Sequence, residues 1–248
     1  METTHQFLSL SYTVVRKNKK NISIKIDEKG KVIINAPYYI NYKSIEEVVK
    51  NKMPWILKNV NIVKERIQDV KFRDISQGKK ILWLGRYLNI KKYIVDSGKY
   101  YIRICKDNFQ IFGSEILLED EAKVKDIIYK FYRKKAELIF KHKVDVYSKK
   151  LRVSPQNITV RCQKTLWGSC YSNGNINLNC RLLMSPVEII EYIVVHELCH
   201  LVYMNHSKDY WKLVESQIPD YAVRRKWLKD NGYILVFPKK SLESGIYE

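Results

Sequence analysis

The stretch Ser185-Pro186-Val187-Glu188, continued by Ile189-Ile190-Glu191-Tyr192-Ile193-Val194-Val195-His196-Glu197-Leu198-Cys199-His200, decides how this chain is read. Ser185 as cap, Pro186 at the first helical position and Glu188 completing a capping box predict a helix start. At about 100° per residue, His196 and His200 lie one turn apart on one face of that helix, so both imidazoles reach one ion. Glu197 projects toward the edge of the same face, placed to take a proton from water that the ion activates. A tetrahedral catalytic zinc takes three protein ligands and leaves one position open. Asn205 as a left-handed helix-ending residue and Ser207 as the cap of a following helix would reverse the chain and return His206 over the same ion. In a chain of this composition an H-E-x-x-H pattern is expected by chance roughly 0.006 times. The expected metal ligands are therefore His196, His200 and His206, with Glu197 as the catalytic residue and one Zn2+ per chain.

Outward from this helix the chain reads in two parts. Between Tyr12 and Phe112 short alternating runs dominate: Ile22, Ile24 and Ile26, a turn over 27–30, then Val32-Ile33-Ile34 as partner strand. Further strands are expected at Lys80–Leu84, Tyr93–Val95, Tyr100–Cys105 and Phe109–Phe112, punctuated by Gly78, Gly85, Gly98 and Gly113. A helix interrupts them, with Ser44 and Glu47 as a capping box and Ile45, Val48, Val49, Ile56, Val60, Val63 and Ile67 at helical spacing. Pro54 is expected to kink or split it. No internal repeat is visible. From Glu119 the period is helical, with Val124, Ile127, Ile128, Phe131, Leu138 and Ile139 forming one face of a helix that ends near Lys150. Strands are expected at 158–161 and 175–179, the latter offering an exposed edge to an extended peptide. The expected class is α+β, with a β-rich domain over 1–115 and a mainly helical domain with a short sheet over 116–248.

With 248 residues, 46% apolar and 29% charged, the composition excludes collagen-like, mucin-like and disordered classes. No run approaches 18 apolar residues, and Met1–Leu10 lacks a basic region followed by an apolar core, so neither a membrane span nor a signal peptide is expected. Five cysteines without a C-x-x-C pair read as reduced thiols of a cytoplasmic protein. The net charge of +19 is spread evenly, and Lys outnumbers Arg 34 to 11. That pattern suits a solvated surface with weak, nonspecific polyanion or nucleic-acid binding better than an Arg-built reader of bases.

Other residues carry weaker readings. Trp167, Tyr203 and Tyr210 are candidates for substrate contact, the tyrosines as oxyanion donors, beside the plainer reading of packed aromatics. Ser169 as a nucleophile is disfavoured because the histidines are better used as ligands. Cys162, Cys170 and Cys180 lack the paired spacing of a second metal site and read as small buried hydrophobes. Glu215 is a fallback third ligand.

Beyond these single residues, Gln163-Lys164-Thr165-Leu166-Trp167-Gly168-Ser169-Cys170, Asn175-Ile176-Asn177-Leu178-Asn179, Ser185-Pro186, Val194–Leu201, Asn205-His206-Ser207 and Trp211 together resemble the YgjP-like predicted metallopeptidases, a group that looks related to the SprT and WLM-type zinc proteases. The His spacing also equals that of the metzincins, but Tyr203 stands where they place Gly. The resemblance extends to the N-terminal half through Tyr12–Arg16, Ile24-Lys25-Ile26, Gly30-Lys31-Val32, Trp55-Ile56 and Leu84-Gly85. It implies a zincin-like catalytic domain behind a β-rich portion and hydrolysis of peptide bonds. Leu166 departs from the family's usual Arg before the Trp, a role that Lys164 or Arg161 would have to take. Hydrolysis of a small anionic substrate such as a nucleotide, and a nucleic-acid-associated zinc module, remain the alternatives.

Overall fold

The computed structural model describes residues 2–8, 10–27, 29–72 (backbone only over 66–72), 80–96, 98–163 and 165–237. Ile67, Gly78 and Lys164, named above, lie outside the described side chains. The chain divides into two compact units, Met1–Phe72 and Arg73–Glu248.

In the first unit, β1 (Glu2–Phe7), β2 (Leu10–Lys17), β3 (Ser23–Ile26) and β4 (Val32–Pro37) form a sheet of order β1-β2-β4-β3. β2 and β4 run parallel and the two outer pairings are antiparallel, with Ile24 opposite Ile34. One face buries Leu10, Tyr12, Val14, Val32, Ile34 and Ala36 against Ile45, Val49, Ile56 and Val60 of α1 (Tyr42–Phe72). Two expectations about α1 need correcting. Asn41, not Ser44, supplies the capping oxygen, accepting from Ser44 N at 2.8 Å. Pro54 does not split the helix: α1 runs unbroken for 31 residues, since its ring deletes one backbone donor and the apolar face against the sheet holds the remaining turns.

The second unit opens with β5 (Lys80–Trp83), β6 (Arg86–Ile94), β7 (Tyr101–Cys105) and β8 (Asn108–Gly113), in the order β5-β6-β8-β7. Again the central pair is parallel and the outer pairs antiparallel. The short α2 (Glu115–Glu119) and then the 31-residue α3 (Glu121–Leu151) follow. The two units thus share one topology, four strands in the same order and then a 31-residue helix, a repeat of form that no sequence periodicity discloses. Ile81, Leu82, Trp83, Leu88, Ile90, Phe109 and Ile111 pack in one core with α3. That shared core is why the units divide at 72/73, whereas the expected boundary was 115/116.

Asp120 caps α3 by accepting from Lys123 N at 3.0 Å, and Arg152 ends it with a left-handed φ of 55°. The buried face is Val124, Ile127, Ile128, Tyr132, Ala136, Phe140, Val144 and Tyr147. Leu138, assigned to that face above, is 60% exposed: the true stripe steps by four through Ile128, Tyr132, Ala136, Phe140 and Val144. Tyr132 is wholly buried, and its hydroxyl donates to the Leu82 carbonyl.

The chain then forms a small sheet, β9 (Asn157–Arg161), β10 (Gly168–Cys170) and β11 (Asn175–Asn179), in the order β10-β11-β9. β11 is central, parallel to β9 and antiparallel to β10. Residues 175–179 therefore offer no free edge, contrary to expectation; the edges of this sheet are β10 and β9. A 3-10 turn at Cys180–Met184 leads into α4 (Val187–Cys199), followed by α5 (Lys208–Gln217) and α6 (Tyr221–Asn231). Ser185 does not cap α4; it is fully buried and donates to the Leu182 carbonyl at 2.7 Å, closing the preceding turn. Among the described residues no helix is long and apolar enough to cross a membrane.

The β5–β6 turn meets this junction, with Leu84 N and Gly85 N donating to Leu183 O and Met184 O at 2.7 and 3.2 Å. Gly85 has φ +79°, and a Cβ there would stand 2.9 Å from Pro186 Cγ. Gly85→Ala is expected to lower stability by about 2 kcal/mol, the left-handed strain plus the contact, read as a fall in the urea midpoint with an unchanged m-value.

Candidate metal centre

α4 carries the first candidate ligand, and nine of its thirteen residues are buried. Ile189, Ile190, Ile193, Val194, Val195, Leu198 and Cys199 pack into the core of the second unit, which pins the azimuth of His196. The helix ends at Cys199, so His200 is its first flanking residue rather than part of it. Three successive tight turns, with Leu201 N, Val202 N and Tyr203 N bonded to Leu198 O, Cys199 O and Cys199 O, begin the reversal. Asn205 has no positive φ among the described residues, so the expected left-handed stop is replaced by these turns. Ser207 does cap α5, accepting from Tyr210 N at 3.2 Å.

The reversal brings the three imidazoles together. Ring centroids lie 5.1 Å apart for His196–His200, 5.1 Å for His196–His206 and 4.8 Å for His200–His206. The Nε2 atoms of His196 and His206 stand 3.4 Å apart, and one ligating atom from each ring falls within 4.8 Å of the others. No other described residue type joins them in this cluster, and Glu215 on α5 is exposed and outside it.

Two hydrogen bonds orient the rings. His200 Nδ1 lies 3.0 Å from Tyr203 O, a carbonyl that only accepts, so the Nδ1 proton is placed and Nε2 is left bare. His196 Nδ1 lies 2.7 Å from the Tyr210 hydroxyl, which also reaches the His196 carbonyl at 3.0 Å. With the Tyr210 proton given to the carbonyl, its oxygen accepts from Nδ1 and Nε2 of His196 is again bare. Burial, and then the neighbouring His200 and His206, push the His196 imidazole down to about 3; burial lowers His200 as well. The bare Nε2 atoms of His196 and His200, with the His206 ring beside them, fit a divalent borderline metal such as zinc.

Glu197 is buried, 5% exposed, and burial raises its carboxyl to about 8. Gly168 at the start of β10 lies against it: a Cβ there would stand 2.5 Å from Glu197 Oε1. The glycine is therefore what allows the edge strand to approach the carboxyl. Beside His200 opens a cleft of about 460 Å³, whose lining includes Val153, Tyr171, Leu201 and Met204.

The weaker candidates separate. Tyr210 is fully buried with its hydroxyl committed to His196. Tyr203 is exposed and contributes its carbonyl to His200. Trp167 packs on Gly232, with Arg181 over its ring at 4.9 Å; the guanidinium beside this Trp thus comes from Arg181, while Leu166 is exposed. Ser169 Oγ accepts from Asn177 Nδ2 at 3.3 Å. Sequence reading missed the pairing of Tyr210 with His196 and the stacking of Trp211 on His206 at 5.5 Å. The available signal was the placement of Tyr210 and Trp211 in the first turn after the Ser207 cap, the turn nearest His206.

The sequence model of the YgjP-like metallopeptidase domain matches residues 20–231. No curated protein matches the chain. Among solved structures, the metallopeptidase zymogen of Pyrococcus abyssi abylysin is similar at 24% identity over 36% of this chain and 93% of its own, with a TM-score of 0.33, too low to bear on the fold.

Tyr210→Phe keeps the ring and removes the acceptor on His196 Nδ1. Metal affinity is expected to fall about 10-fold or more, measured by competition with a chelator, while the metal-free protein keeps its helical circular dichroism.

Proposed function

Because the chain belongs to the YgjP-like metallopeptidase family, we propose that it is a zinc peptidase whose ion is held by His196, His200 and His206 and whose proton carrier is Glu197. The observation that carries this reading is the convergence of the three imidazoles within 4.8 Å beside a buried carboxyl. A zinc ion held there would supply Lewis-acid polarisation of the scissile carbonyl and lower the pKa of water toward about 7. Burial alone would keep the Glu197 carboxyl largely protonated near neutral pH; a cation held beside it would favour the carboxylate, which would then accept the proton of the attacking water and return it to the leaving amine.

β10 supports the placement of a peptide. Among the described residues it is an edge of its sheet, paired with β11 alone, and its Gly168 touches Glu197. An extended substrate adding to that edge by backbone hydrogen bonds would pass beside the carboxyl. The cleft next to His200, lined by Val153, Leu201 and Met204 together with Gln156, Ser172 and Asn173, then receives one substrate side chain. The charge of +19 acts at most on encounter, and the protein works in the cytoplasm.

The test separates ligand from base. About one zinc per chain is expected after reconstitution. Glu197→Gln is expected to keep the ion and lower casein turnover by several orders of magnitude, because an amide accepts no proton. His206→Ala is expected to lose the ion. Full zinc retention in His206→Ala, with loss in Glu215→Ala, would reassign the third ligand. Nucleotide hydrolysis in place of casein cleavage would move the reading to the small anionic substrate.

The charge carries its own expectation. DNA binding should be no tighter than micromolar at about 0.15 M salt, with log K falling against log [salt] by the number of phosphates neutralised. Casein turnover should not follow that salt dependence. Fluorescence anisotropy of labelled duplex and single strands measures it.

A further inference from the structure

β9 and β11 run parallel, and their last registered pair is Arg161 with Asn179. Cys162 and Cys180 are the next residue on each. Neighbouring strands lie about 4.8 Å apart, within the Cα spacing of about 4.4–6.8 Å that a disulfide spans. The segments stay joined past the strands: Gln163 O accepts from Asn179 Nδ2 at 2.8 Å and from Arg181 Nη1 at 3.0 Å. Cys162 and Cys180 therefore occupy matching positions on adjoining segments, near enough for each thiol to perturb the other. β9 is an edge strand and β11 the central one, so Cys162 is exposed while Cys180 is buried; both are free thiols.

The neighbouring Cys180 thiol, helped by the Arg181 guanidinium and opposed by burial, lowers the Cys162 thiol below the usual thiol value. Burial raises Cys170 to about 11 and Cys199 to about 12. An accessible thiolate beside a cation and a second thiol is the environment of a redox-active cysteine rather than of a packing residue.

We propose that Cys162 and Cys180 form a peroxide-reactive dithiol, Cys162 as the attacking sulfur and Cys180 as the resolving one. The Cys162 thiolate attacks one oxygen of a hydroperoxide. The O–O bond breaks, Cys162 becomes a sulfenic acid, and the departing oxygen takes the proton that the thiol released. The Cys180 sulfur then attacks the sulfenic sulfur. The S–O bond breaks, the S–S bond forms, and the leaving hydroxide takes the Cys180 proton as water. Two thiols are oxidised by two electrons, and hydrogen peroxide is reduced to two waters. The disulfide would staple the ends of β9 and β11 where the chain enters 163–167, the segment that leads to Gly168 and the Glu197 carboxyl. The assignment uses no residue of the metal centre, so it stands or falls apart from the peptidase reading.

The full chain is treated with a few equivalents of hydrogen peroxide, alkylated in denaturant and mapped by peptide mass. The expected product is one intramolecular Cys162–Cys180 cross-link, two hydrogens lighter and reversed by dithiothreitol, with Cys105, Cys170 and Cys199 still alkylated. In Cys180→Ser, Cys162 is expected to stop as a sulfenic acid that dimedone captures. Cys162→Ser changes an exposed position and should fold normally, and in it Cys180 should stay reduced. The proposal is overturned if both thiols of the native protein alkylate fully after peroxide, or if Cys162 pairs with another chain instead of with Cys180.

Discussion

The burial of α4 is the constraint from which the second unit is built. A helix whose sides are nearly all apolar has no solvent face to turn outward, so α3, the β9–β11 sheet, α5 and α6 close around it. The direction of His196 is then set by packing on several sides rather than by its own side-chain preferences. The Glu197 carboxyl, carried inside by this burial, has room there because β10 presents a glycine to it. A larger residue at 168 would have to push either the edge strand or the carboxyl away.

Around this helix small polar devices do the orienting. The Tyr203 carbonyl and the Tyr210 hydroxyl each engage the Nδ1 of one histidine and leave its Nε2 for the cluster. Asn179 performs the same kind of task in the supporting sheet. It donates to Gln163 O and Leu166 O and accepts from Arg181 N, fixing the loop that leads into β10. Such buried amides are costly unless satisfied, and here each hydrogen bond places a piece of chain near the candidate site. The same loop contains Cys162, so the packing that positions β10 also brings two thiols together.

Much of the candidate site was legible because its information is local. Residues one helical turn apart share a face, so His196 and His200 had to meet, and the Ser207 cap was readable from its residue type and position. The helix ends were less legible. Ser44, Ser185 and Asn205 are all residues that commonly start or stop helices, yet Asn41, a 3-10 turn and a run of tight turns took those roles. Each competitor offered a hydrogen bond a few residues away that propensity does not weigh. Leu138 shows the same weakness for the core: an apolar residue in a helical period is left exposed when its azimuth misses the sheet.

The sequence by itself determined the local chemistry: the α+β class, alternating strands such as β3, β4, β7 and β8, and the four-residue spacing that brings the imidazoles of His196 and His200 together. Tertiary structure alone decided what depends on residues far apart in the chain. It made β11 central and β10 the edge, repeated one four-strand topology in both units, set Tyr210 behind His196, and brought Cys162 to Cys180. The physical reason is that periodicity records which face of an element is buried, not which element buries it. Strand order, edge position and side-chain partners follow from how whole elements fill a common core.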